Sequence, residues 1–370
     1  MITEIEIEGF KSLEKVHLKL GKLNLFVGAN ASGKSNFLEA LRVLQGIGYG
    51  FKINEVLNGK PKSATSEVWE GIRGGSRYAT FSARSKPGLE AEREIKLSTV
   101  LKVGDSQHQY SVSIFKNGIR SEALDREERT VPSTLAFSFL GQIPQSPLFQ
   151  VHEKVKRALS NMQKIDFDMA TLRAYSQDSV AQRIGERGEN FAALISKILM
   201  EERLKKAYLS WLSQLTPMEL EDVTVLPGAL GEPLFALKEG DNVLPAPILS
   251  DGTLRFAAIT AAFFQMDMPD IIKIEEIENG IHPSRLRLLV ELLKSQSGGT
   301  GPQVFATTHS PVVLAWLEES DYKTTFFCRR DEETGASIIK PLSEIPRLVE
   351  LVKNQSLGEL FTEGWMEAAF

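Results

Sequence analysis

The residues best suited to phosphate chemistry are Gly28, Ala29, Asn30, Ala31, Ser32, Gly33, Lys34, Ser35 and Asn36, within "FVGANASGKSN". They fit G-x-x-x-x-G-K-[ST], after the apolar run "KLNLFV" and before "NFLEALRVLQGI", where Phe37, Leu38, Leu41 and Leu44 recur at helical spacing. Small residues let backbone N–H groups curl around phosphate oxygens, and the N-terminus of the following helix adds partial positive charge. In such a loop Lys34 reaches the β- and γ-phosphates and Ser35 offers its hydroxyl oxygen to magnesium. The pattern implies that the chain binds a nucleoside triphosphate.

Three more stretches carry candidate chemistry. "IIKIEEIENGIHP" (271–283) ends an apolar strand, Ile271, Ile272 and Ile274, in Glu275 and Glu276, with Glu278 two residues on. "VFATTHSP" ends another in Thr307, Thr308 and His309, and "PAPILSDGTLRFAAI" sets Ser250-Asp251-Gly252 before an amphipathic run. Taken singly, each has a plain reading. Charge runs usually face water, a histidine at a strand end is usually hydrogen-bonded structure, and Ser-Asp-Gly is common capping chemistry. Their order along the chain with a phosphate loop favours a working site.

The elements that must position these residues follow from periodicity. Residues 2–8 alternate isoleucine with glutamate, as a half-buried strand does, and "VHLKL" repeats that period. "REIKLSTVLKV" and "QYSVSIF" flank "GDSQ" as an antiparallel hairpin. Residues 150–216 read as mostly helical, with Phe191, Leu194, Ile195, Ile198 and Leu199 on one face, continued by Leu204, Tyr208, Trp211 and Leu215. Strands are predicted at 222–226, 234–238, 271–275 and 303–307. Helices are predicted at 252–265, near 284–294 and over 343–354, and an exposed loop over 58–76. Apolar strands followed by helices imply a parallel sheet with helical crossovers, hence an α/β fold.

Composition narrows the class. At 370 residues, 42% hydrophobic and 25% charged, the chain is an ordinary globular protein, and its net charge of −5 gives no global reason to expect nucleic acid. The single cysteine, Cys328 in "TTFFCRRD", reads as a buried strand thiol. The N-terminus lacks the basic start and apolar core of a signal peptide. No uninterrupted apolar run reaches the ~18 residues of a membrane span. A soluble cytoplasmic protein without a membrane partner is the expectation.

With the phosphate loop, "LSDGT", "IIKIEEIENGIHP" and "TTHSP" in this order, the chain resembles the ABC-type AAA ATPases of the RecF, SMC and OLD-like group. The resemblance runs from the opening "IEIEGFKSLEKV" to the closing "LGELFTEGW". It implies a P-loop head with a parallel core sheet, an antiparallel β subdomain and a helical insertion. The implied divisions are an N-terminal lobe at 1–135, a helical lobe at 136–220, a C-terminal lobe at 221–340 and a helical tail at 341–370. It also implies a homodimer that closes on ATP and Mg2+, each nucleotide held by one copy's phosphate loop and the other's signature loop through Ser250 and Gly252. The family's strand ends in Asp-Glu. Here Glu275 takes the magnesium-supporting position and Glu276 that of general base on the attacking water. His309 takes the place of the switch histidine that senses the γ-phosphate. Gln142, in "FLGQIPQSP", falls where the Q-loop glutamine would touch magnesium and the water. The extra methylene of Glu275 suits an outer-sphere role better than direct ligation, since magnesium enforces a strict octahedron. Asp251 stands where the familiar signature has glycine, and its side chain is expected to turn away and cap the helix.

Two roles remain open. One is an ATPase coupled to double-stranded DNA, or to a nuclease or effector encoded separately, in repair or anti-phage defence. No Toprim-like acidic cluster follows residue 340, so a nuclease is expected on another polypeptide. The other is a nucleotide-gated scaffold with slow turnover that assembles or restrains a partner. Basic stretches at 154–164 and 203–208 are the candidate DNA surfaces.

Overall fold

The computed structural model describes residues 1–60, 69–82, 94–116, 118–125, 127–135, 138, 140, 149–176, 182–215 and 220–369. The chain divides into two compact units, residues 1–162 with 318–370, and residues 163–317.

The first unit opens on the strand Ile2–Phe10. Its alternation buries Ile2, Ile5, Ile7 and Phe10 and leaves the glutamates on the other face. This strand pairs antiparallel with Leu13–Lys19 and with Ile95–Val103. The predicted hairpin is present, Ile95–Val103 turning into Ser106–Phe115 through Gly104 and Asp105. Gly118–Leu124 and Glu127–Leu135 extend the sheet to six strands. Their sequences, "GIRSEAL" and "EERTVPSTL", lack clean alternation, which hid them from a periodicity reading. Pro132 is tolerated because Glu127–Leu135 is the outermost strand.

The same unit holds the strand that launches the phosphate loop. Leu23–Val27 runs parallel to Thr325–Arg330, which pairs antiparallel with Ser337–Pro341. Phe26 stacks on Phe37 of the helix Lys34–Gly48 at 4.3 Å and on Phe326 at 5.0 Å, fixing strand against helix. Cys328 is buried in this strand, and burial pushes its thiol up to about 12.

Two expectations in this unit change. The 58–76 stretch is not wholly an exposed loop, because Trp69 and Ile72 are buried and the Trp69 indole N–H donates to the Val56 carbonyl at 3.1 Å. Nor is 343–354 a single helix. Pro346 forces Ile345 into an extended conformation (ψ 120°), and short helices follow at Leu348–Leu351, Leu357–Thr362 and Trp365–Ala368.

In the second unit Ile271–Ile274 runs parallel to Gln303–Thr308, with the helix Leu286–Ser297 between them in sequence. Every residue of both strands is buried, the polar Lys273, Gln303, Thr307 and Thr308 included. The helix Asp251–Ala262 is buried from Leu254 onward, and Tyr208 donates its hydroxyl to the Ala257 carbonyl at 3.0 Å. The stripe read across 191–215 belongs to two helices, Phe191–Met200 and Glu202–Leu215, broken where Glu201 turns extended. Leu220–Pro227, Pro233–Glu239 and Asn242–Pro245 form a three-stranded antiparallel sheet. Met162–Ile165 is a strand inside the stretch predicted as mostly helical. Among the described residues no helix is long and apolar enough to cross a membrane.

Candidate nucleotide site

The phosphate loop is built by close approach of its neighbours. A Cβ on Gly28 would lie 2.0 Å from the Cys328 carbonyl oxygen, and one on Gly33 would lie 2.1 Å from Ser337 Oγ. Only glycine fits against these two neighbours. Gly33 is left-handed (φ 109°), and no described side chain caps the helix it begins, as suits a helix N-terminus meant for an anion. Lys34 is buried and donates from Nζ to the carbonyls of Gly28 at 2.6 Å and Ala29 at 2.8 Å, so its stem is curled over the loop. Ser32 Oγ is buried with no hydrogen-bond partner among the described residues, the kind of orphan that a phosphate would satisfy. Behind the loop Asn36 donates to Ser12 Oγ at 2.6 Å, and Ser12 and Ser337 share a hydroxyl hydrogen bond at 2.7 Å. Neither Ser12 nor Ser337 carries a sequence signal for this bracing role. The loop therefore fits a nucleotide's phosphates. Among the described residues no group of three or more His, Cys, Asp or Glu is gathered to cage a metal.

In the second unit the acids leave the end of Ile271–Ile274 under several constraints. Glu276 is left-handed (φ 48°), a conformation that costs a non-glycine residue about 1–2 kcal/mol. Its N–H donates to Thr307 Oγ1 at 2.9 Å, and its carboxylate accepts from Asn279 Nδ2 at 2.6 Å. Arg255, buried on the helix Asp251–Ala262, donates to the carbonyls of both Glu275 and Glu276 at 3.3 Å. Burial holds its guanidinium below the usual arginine range, against the pull of Asp166, Glu278 and Glu276. Lys164 lies 3.9 Å from the Glu275 carboxylate and 3.0 Å from each of Asp166 and Glu186. Burial opposes the Lys164 charge, but Glu186 and Asp166 outweigh it and raise its pKa. Glu278 reaches His309, accepting from its backbone N–H at 2.7 Å and lying 3.0 Å from Nδ1. Thr307, Glu275, Glu276, Glu278 and His309 thus form one local cluster, a carboxylate-rich strand tip beside an imidazole. Such a set can accept a proton from water and contact an anion.

The signature segment differs from expectation in one respect. Ser250, not Asp251, caps the helix, its Oγ accepting from the Thr253 N–H at 3.1 Å. Asp251 is the first helical residue, and its carboxylate pairs with Arg173 at 2.5 Å. Arg173 also donates to the Leu249 carbonyl at 3.1 Å. The aspartate does turn aside, drawn by an arginine 78 positions away that local sequence could not reveal. Gly252 is required by close approach, since a Cβ there would lie 2.7 Å from the Gly280 carbonyl.

Gln142 lies outside the described residues. The two basic stretches are largely committed to ion pairs: Lys156 with Glu153, Lys164 with Asp166 and Glu186, Lys205 with Asp222, and Lys206 with Glu202. A cleft of about 810 Å3 in the first unit has Arg77, Lys116 and Arg330 among its lining with Tyr78 beside them, while Lys11 there is paired with Glu39.

The fold and the loop define an ABC-type P-loop ATPase. A solved SMC head bound to the C-terminal winged-helix domain of ScpA has a TM-score of 0.59 at 15% identity, over 93% of this chain and 99% of that one. A second SMC head with an extended coiled coil, bound to the C-terminal domain of ScpA derived from Pyrococcus furiosus, has a TM-score of 0.58 at 14% identity, over 95% and 99%. In sequence the chain is similar to an "ATP/GTP phosphatase" of Helicobacter pylori, 24% identical over 90% of this chain and 93% of that protein. It belongs to the AAA ATPase family described as "AAA domain, putative AbiEii toxin, Type IV TA system", whose model matches residues 23–315.

Proposed function

We propose that this ATPase binds MgATP on residues 28–36 and hydrolyses it with Glu276 as general base. A second copy closes on the bound ATP, before hydrolysis, through Ser250 and Gly252. The observation that carries this reading is the phosphate loop itself, with Gly28 crowded by the Cys328 carbonyl and Gly33 by the Ser337 side chain, Lys34 curled over its carbonyls and Ser32 Oγ buried without a partner among the described residues. Bound magnesium supplies charge neutralisation at the phosphates, and Ser35 and Glu275 are the residues of this chain that would hold it, with Gln142 a third candidate. Glu276 would take a proton from water. His309 would contact the γ-phosphate.

Closure on ATP is the step that does cellular work, coupled to DNA or to a separately encoded nuclease or effector in repair or defence. The family description, with its toxin and Type IV toxin–antitoxin system, is in keeping with a defence role. A scaffold reading is favoured by one specific observation: the SMC heads of like fold were solved with a domain of ScpA bound. In that reading turnover is slow and the ATP-bound state docks a partner protein.

Glu276→Gln tests the core of the proposal. It should bind MgATP, accumulate as an ATP-bound dimer in sedimentation, and hydrolyse ~10²–10⁴-fold more slowly, the usual span for a lost general base. Hydrolysis at the parent rate would remove Glu276 from the role. Double-stranded DNA added at low salt separates the two coupling readings. Stimulation of turnover that fades as salt rises supports the DNA reading, and Arg77→Glu with Lys116→Glu should weaken it. Turnover indifferent to DNA favours the scaffold.

A further inference from the structure

Glu278 has no part in the hydrolytic scheme above, yet it is the side chain most tightly engaged with His309. One oxygen, Oε1, accepts from the His309 backbone N–H at 2.7 Å and lies 3.0 Å from Nδ1 of the same ring. The glutamate side chain is only 9% exposed, whereas the imidazole is 43% exposed. Its other oxygen, Oε2, is buried without a partner among the described residues, so the carboxylate has been taken from water to hold this histidine. An ionised carboxylate can only accept. A carboxylate oxygen 3.0 Å from Nδ1 favours the imidazole proton on that nitrogen.

We propose that Glu278 is a positioning residue that fixes the tautomer and orientation of His309, leaving Nε2 as the ring nitrogen that meets the nucleotide. The inference rests on the reading of His309 as the γ-phosphate sensor. The carboxylate would hold the ring from one side, as the buried aspartate of a catalytic triad does, and leave Nε2 as the nitrogen it does not engage. On sequence alone Glu278 reads either as a direct nucleotide contact or as part of a polar turn capping the next helix.

The tautomer can be read directly, whatever the ATPase activity. Long-range proton–nitrogen NMR spectra, above the ordinary imidazole pKa of ~6.5, should show His309 protonated at Nδ1, with its signals assigned by their loss in His309→Gln. Glu278→Met keeps the shape of the buried side chain without an acceptor, and should shift His309 to a mixture of tautomers. Glu278→Gln retains an acceptor oxygen and should restore the Nδ1–H form. Kinetically Glu278→Met should lower kcat by roughly 10–100-fold, as losing the carboxylate behind a functional imidazole does elsewhere, with ATP affinity unchanged. Placed on His309→Ala, Glu278→Met should add less than about two-fold further loss, the scatter expected when one residue acts only through the other. A tautomer indifferent to Glu278→Met, or losses that multiply in the double variant, would overturn the proposal. If His309→Ala alone hydrolyses ATP at the parent rate, the sensor reading fails while the NMR result still decides the clamp.

Discussion

Glu276 occupies a left-handed backbone position (φ 48°) that glycine adopts without cost. The strain is retained where the chain needs a carboxylate at the strand tip, a pattern expected of functional residues. Glu276→Gly should therefore stabilise the protein by about 1 kcal/mol or less while abolishing hydrolysis, because the relieved strain is offset in part by the freedom of glycine when unfolded. Denaturant midpoint and phosphate release, measured on the same sample, check it; a destabilised variant would mean that the Asn279 hydrogen bond outweighs the strain. Lys34 makes a simpler case. Lys34→Ala removes the cation curled over the loop and should abolish nucleotide binding, read by fluorescence titration with a labelled ATP analogue.

At the scale of elements, the phosphate loop is gripped from behind by the strands Thr325–Arg330 and Ser337–Pro341. The Cys328 carbonyl fills the space a Gly28 side chain would need, and the thiol is buried, with its pKa pushed up to about 12. Labelling of Cys328 by a thiol reagent should therefore require opening of this region. MgATP at 100 times its Kd should slow labelling by about 100-fold, the linkage expected when ligand binds only the closed state. Labelling as fast with MgATP as without would uncouple this strand from the loop. The signature helix gives a second test. Arg173 neutralises Asp251 at a helix start that should face a partner's phosphates. Arg173→Ala should weaken the ATP-dependent dimer of Glu276→Gln by about five-fold or less, since a half-exposed pair is worth at most ~1 kcal/mol. Adding Asp251→Ala should recover the loss, as sedimentation would show.

For the whole molecule, the phosphate-loop residues 28–36 belong to the unit of residues 1–162 with 318–370, and Glu275, Glu276, Glu278, His309 and the Ser250–Gly252 segment belong to residues 163–317. The first unit is therefore discontinuous in sequence, and the C-terminal strands are part of the phosphate loop's own support. Removing residues 337–370 should cost nucleotide binding as well as stability, because Ser337 and its strand brace Gly33 and Ser12. A truncated chain that binds ATP with parent affinity would show the brace to be dispensable.

Sequence alone determined what is local. The loop motif, the alternating strands and the Gly104–Asp105 hairpin were legible because each depends on residues within a turn or two of one another. Glu275, Glu276 and His309 were legible as candidates through their order with the loop. What only the tertiary structure decided is which distant residues answer them. Arg173 turns Asp251 aside, Arg255 holds the backbone of the acids, Ser337 and Cys328 shape the loop, and Glu278 clamps His309. These pairings span from 20 residues, between Arg255 and Glu275, to 325, between Ser12 and Ser337. No periodicity carries them, because a side chain's partner across the fold is set by how strands and helices pack, not by its neighbours in the chain.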